Sequence, residues 1–215
     1  MRNFKIRHCV MVFLAIASIV MTGCAGKQMT RAEQLALRDK SREAAVNTYQ
    51  GFTKDQVIEA AEKTLRLIDP TDAVFTHTED KMVMTRPYSL FLGVSSVHGY
   101  DFWIMEFKEK ENQTIETTVT VVTIQNSGPF AQMPKIPPLG GVGVSQSTLS
   151  EAEAKAFYKR LDYMLGIEKQ WMTRADALKM AEENGYVTNI GAYGGHFNFL
   201  CGDNWYGIAD KSPNS

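Results

Sequence analysis

The residues best suited to covalent chemistry lie near the end of the chain, in His196-Phe197-Asn198-Phe199-Leu200-Cys201-Gly202-Asp203. A cysteine with a histidine base beside it is an activated nucleophile. Phe197 to Cys201 alternates like a strand, which puts Cys201 on the face of Phe197 and Phe199, and His196 opposite with Asn198. A free cysteine on an apolar face packs as a small hydrophobe and is inert. The sequence therefore favours a buried Cys201 and assigns no catalytic residue; a thiol-dependent or hydrolytic enzyme centred on Cys201 is the weaker reading. His77, His98 and His196 lie far apart with no HxH or HExxH spacing, so no metal ligand is assigned. The glycine runs Gly140-Gly141-Val142-Gly143 and Gly191-Ala192-Tyr193-Gly194-Gly195 lack both GxGxxG and a phosphate-binding lysine. There is no GxSxG either, and no cofactor is expected.

Recognition fits the residues better than catalysis. A loop over 127–148 holds Pro129, Pro134, Pro137 and Pro138, then Gly140, Gly141 and Gly143. It carries Phe130, Met133, Ile136 and Leu139, followed by Val142 and Val144, outside any periodic element. Apolar side chains on a long loop either meet a partner or lie as a strap across the sheet. The first of these makes Phe130, Met133, Ile136 and Leu139 candidate partner-binding residues. The terminal aromatics Tyr193, Phe197, Phe199, Trp205 and Tyr206 are read as core completion, with a binding groove as the alternative.

The N-terminus reads as a targeting segment. Arg2, Lys5 and Arg7 occur without an acid, and Cys9 to Val20 is apolar except for Ser18. That run is too short to span a bilayer and has the form of a signal peptide. It ends in Met21-Thr22-Gly23-Cys24, which resembles the lipobox of bacterial lipoproteins, with Met21 where leucine is commonest. The resemblance implies cleavage after Gly23, a diacylglycerol on the Cys24 sulfur and acylation of the new N-terminus. Several acyl chains anchor firmly where one binds reversibly. By the same resemblance, Ala25 in place of an aspartate favours the outer membrane over the inner, with the body on the periplasmic side.

The elements that must position these residues follow from periodicity. Residues 24–50 form a polar tether, helical from about Thr30 to Thr48, with a thin apolar face. A single domain over 51–210 begins with a capping box at Thr53 and Gln56 and a stripe of Val57, Ala60, Ala61, Leu65 and Ile68. Four strands are expected at Ala73–Thr78, Lys81–Arg86, Gly99–Lys108 and Thr114–Gln125, the last two joined by a charged tip at Glu109 to Gln113. After the proline loop, Ser150 and Glu153 cap an amphipathic helix that ends at Gly166. Another helix runs from Thr173 to Asn184-Gly185. The fold class is α+β, an antiparallel sheet of about four strands packed on one face by helices. In topology this is similar to the small α/β modules of envelope lipoproteins, but no residue motif supports a family for the mature domain.

Composition bounds the rest. The 215 residues carry 23 Lys and Arg against 24 Asp and Glu, and a charge of −1 is not that of a nucleic-acid-binding domain. Removing residues 1–23 leaves 20 basic and 24 acidic residues, a mildly acidic mature chain. The three cysteines resolve into one removed (Cys9), one lipid-bearing (Cys24) and one packed (Cys201). The reading is a non-enzymatic envelope lipoprotein, attached to the membrane through Cys24, that binds or scaffolds an envelope protein partner. A small-ligand or lipid carrier is the alternative.

Overall fold

The computed structural model describes residues 30–68, 73–136 and 149–186. Helix α1 (Arg31–Ala44) is followed by β1 (Val46–Gln50), α2 (Lys54–Ile68), β2 (Val74–His77) and β3 (Lys81–Leu92). Then come β4 (Ser95–Lys110), β5 (Thr114–Gly128), α3 (Glu151–Met164) and α4 (Arg174–Asn184). The chain divides between Leu37 and Arg38 into two compact units, and the sheet with α2 to α4 belongs to the second.

The expected α+β class holds, with five strands in the order β1-β5-β4-β3-β2, every pair antiparallel. β2 to β5 form a meander, and β1 joins it along β5. The fifth strand lies in the stretch read from sequence as tether: the helix stops at Ala44 and Val46–Gln50 pairs with Thr114–Thr118. It was hard to read because only Tyr49 of its five residues is buried. α2 links the two short edge strands, β1 and β2, across the sheet. Its Thr53 cap accepts from the Gln56 N–H, while the Gln56 side chain accepts from the Thr53 N–H.

Strand alternation gives the sheet two unlike faces. On one, Met82, Met84, Trp103, Met105, Phe107, Val119 and Val121 pack with Val57, Ala61 and Leu65 of α2 and Phe157 and Leu161 of α3. The Trp103 and Phe157 rings lie 6.1 Å apart at the centre of this cluster. α4 adds Ala177 and Ala181, and Arg160 ties its approach by donating to the Met172 carbonyl from a position over the Trp171 ring. The other face carries a smaller cluster of Val83, Phe102 and Ile104 with Tyr100, Val122 and Ile124, all of them strand residues.

A buried polar seam fastens the β1 edge. The Tyr158 hydroxyl, on α3, donates to the Ala45 carbonyl at 2.7 Å, and the Thr117 hydroxyl bridges toward the Asn47 carbonyl at 3.3 Å. The Asn47 amide donates to the Tyr49 hydroxyl, and Asp162 on α3 interacts with the same phenol. Burial, then the Asp162 charge, push the Tyr49 phenol far above its ordinary value. Burial also raises Asp162, against the opposing pull of the Tyr49 hydrogen bond and of Lys159.

A carboxyl raised on folding holds a proton that the unfolded chain has released, so its contribution to stability falls as pH rises above the ordinary carboxyl value of 3.8. Asp162→Asn removes that loss while keeping a polar side chain of nearly the same size. The difference in unfolding free energy between variant and unmodified protein, followed by urea titration, should shift toward the variant as pH rises from 3.8 to neutrality. Parallel stability curves would contradict this assignment.

Candidate functional site

The helix-side core of the sheet ends at the row Met84, Trp103, Val121, and the strands continue past it. The next row, Arg86, Asp101 and Thr123, is polar. The Arg86 guanidinium lies 3.9 Å from the buried Asp101 carboxylate, and the Thr123 hydroxyl donates to it at 2.7 Å. Beyond this row β3, β4 and β5 run on to the turn at Gly93 and to Gly128, a three-stranded finger about 20 Å long at ~3.3 Å per residue.

Two glycines shape the finger. Gly93, with φ of +68°, opens the two-residue turn between the paired Leu92 and Ser95, the left-handed position such a hairpin requires. Gly99 lies under the Tyr88 ring: a Cβ there would sit 2.8 Å from Tyr88 side-chain atoms and 2.5 Å from the Ile124 carbonyl oxygen. The missing side chain lets Tyr88 reach across β4 and donate to the Gln125 side-chain oxygen at 2.7 Å. Burial, then the Asp101 charge, hold the Tyr88 phenol up at about 12, so it stays a donor at physiological pH. Pro87 falls past the end of β2, where the side of β3 away from β4 has no described strand beside it, and an edge tolerates its missing N–H.

On the opposite face of the finger, His98 lies between two serines. Its Nδ1 is 2.8 Å from the Ser89 hydroxyl and its Nε2 is 2.9 Å from that of Ser96. A serine on a histidine has the spacing of a nucleophile and its base. The second ring nitrogen faces another hydroxyl rather than a carboxylate, so the imidazole is a polar lock between β3 and β4. Phe91 stands edge-on to it, the ring centres 5.9 Å apart.

The end of the finger is apolar and bare. Phe91 is 76% exposed, Val94 at the turn 91%, and Phe130, two residues past β5, 94%. The pairing of Ser96 with Gly128 brings the end of β5 beside the turn, so all three belong to one end of the sheet. The Asn126 amide donates to the Gln132 carbonyl at 3.1 Å, closing a bend that carries Phe130 outward. Met133 and Ile136, further along, are also exposed.

Of the candidate partner-binding residues, Phe130, Met133 and Ile136 are thus solvent-facing; Leu139 lies outside the described residues, as do Cys24, Cys201, His196 and the terminal aromatics. The proline loop starts later than expected, since β5 runs through Ser127 to Gly128. Two further contributors, Phe91 and Val94, had no place in the expected strands, which stopped at Arg86 and resumed at Gly99. The sequence does hold their signal: no Asp, Glu, Lys or Arg occurs between Arg86 and Asp101, or between Glu116 and Lys135. Of the other histidines, His77 pairs with Glu62 at 3.0 Å. Among the described residues no group of three or more His, Cys, Asp or Glu side chains is placed to hold a metal, and no helix is long and apolar enough to cross a membrane. No protein-family model, curated protein or solved structure matches the chain.

Gly99→Ala tests the finger's internal packing. The added methyl forces Tyr88 off β4, and the variant should lose about 1–3 kcal/mol of stability, the usual cost of overpacking. Urea unfolding measures the loss. An unchanged midpoint would mean that Tyr88 does not lie over Gly99.

Proposed function

We propose that this chain is a lipid-anchored envelope protein, held to the bacterial outer membrane through Cys24 on its periplasmic side, and that it works by docking rather than by catalysis. The docking surface is the end of the finger, formed by Phe91, Val94 and Phe130 and continued by Met133 and Ile136. The observation that carries this reading is the near-complete exposure of Val94 (91%) and Phe130 (94%) on an end of the sheet free of charge. A solvated loop tip with no partner is ordinarily polar, and contiguous bare apolar side chains mark contact sites. These side chains contribute almost nothing to the core, so folding does not account for them. The anchor rests on the order of basic start, short apolar run and Met21-Thr22-Gly23-Cys24.

Both halves are tested in cells. Labelled palmitate should enter the unmodified chain and fail to enter Cys24→Ser, which should leave the membrane fraction. A photoreactive phenylalanine analogue at position 130 should crosslink to an envelope component. The same analogue at Val74, also exposed but on the edge strand β2, should not. Equal crosslinking from both positions would remove the finger from the account, and palmitate on Cys24→Ser would remove the anchor.

A further inference from the structure

We propose that the component met by the finger is the lipid bilayer itself, with Phe91, Val94 and Phe130 seated at the boundary between headgroups and acyl chains. The inference rests on the reading of the finger's end as a docking surface and names its partner.

Charge is the first argument. A charged side chain is costly inside a bilayer, and the two stretches that build the finger's end, between Arg86 and Asp101 and between Glu116 and Lys135, hold none. The first charge met after Phe130 is Lys135, a cation whose long stem suits it to reach anionic headgroups. The acids and bases of the strands resume only at the Arg86–Asp101 row.

The layering agrees with shallow entry. Beside Phe91 lies Ser96, and behind it comes a hydrogen-bonding row of Ser89, His98 and Asn126, then Tyr88 and Tyr100, residue types that favour the membrane–water interface. Two to three residues of strand span about 7–10 Å, the depth of an interfacial segment. β3, β4 and β5 pair with one another as far as Leu92 with Ser95 and Ser96 with Gly128, but the outer edges of β3 and β5 have no described strand beside them there, which limits entry of the backbone to the hydrated headgroup level.

Size separates a bilayer from a protein partner. Among the described residues, Phe91, Val94 and Phe130 offer on the order of 400–500 Å² and the partly exposed Met133 and Ile136 add roughly 150–200 Å², still short of about 800 Å² per side in a standard protein interface. A lipid surface sets no such minimum. Only six residues separate Cys24 from the first residue of α1, at most about 25 Å of extended chain, which keeps the protein near the bilayer.

The test uses the chain from residue 24 onward with Cys24→Ser, so that no acyl chain contributes, and flotation with vesicles of phosphatidylethanolamine containing one-quarter phosphatidylglycerol. The protein should float with the vesicles. Phe91→Ser with Phe130→Ser should lower the bound fraction at limiting lipid by about tenfold or more, from the burial free energy of each ring. Ile167→Ser, an exposed apolar site elsewhere, should leave it unchanged. All three proteins should share one thermal transition, because none of the altered side chains is in the core. A chain that stays in the soluble fraction, or a double variant that floats like the parent, overturns the bilayer as partner. If position 130 still crosslinks to an envelope protein in cells, docking by the finger survives that failure.

Discussion

Everything distinctive in this protein follows from a mismatch of lengths. β4 has 16 residues and β5 has 15, roughly 50 Å of strand at ~3.3 Å per residue. The helices that pack on them have 15, 14 and 11 residues, no more than about 23 Å each at ~1.5 Å per residue. Such helices cover one half of the strands and leave the other half to satisfy itself. The row Arg86–Asp101–Thr123 is where the change occurs: apolar on the helix side before it, hydrogen-bonded and uncharged after it.

The two halves are held by different physics. The inner half rests on the methionine and aromatic cluster around Trp103 and Phe157, and on the polar seam that fastens β1 through Tyr158, Thr117, Tyr49 and Asp162. The outer half rests on its ladder and on cross-strand pairs that need particular residues, such as Tyr88 over Gly99 and His98 between two serines. The helix-packed core therefore lies in one half, and the exposed end of the other is free to be shaped for contact. Among the described residues the three most exposed large apolar side chains, Phe91, Val94 and Phe130, collect there rather than being scattered over the helices.

Much of the inner half was legible in the sequence, because burial on one face imposes a period. The stripe from Val57 to Leu65, the alternation around Phe102 and Trp103, and the caps at Thr53, Ser150 and Thr173 are each local signals of local structure. β1 was not legible, since a five-residue edge strand with one buried side chain leaves almost no pattern, and alternating charges before it read as helix. The finger was half legible. Pro87 reads as the end of a strand, yet on an edge it is tolerated, and a glycine at 99 reads as a boundary when it is a cradle for Tyr88. Phe130, Met133 and Ile136 stood out by their type in a proline-rich loop, whereas Phe91 and Val94 became visible only once the hairpin placed them at the same end of the sheet as Phe130.

The central claim, that the uncharged end of the finger meets the membrane while the helical half stays in water, is tested most directly by depth. A nitroxide attached to Val94→Cys or to Ile167→Cys, each in a Cys201→Ser background of the lipid-anchored protein, reports its surroundings through oxygen, which concentrates in lipid, and a water-soluble nickel chelate. The label at position 94 should relax chiefly with oxygen and be shielded from the chelate, and the label at position 167 should do the reverse. Equal access of the chelate to both labels would contradict the account.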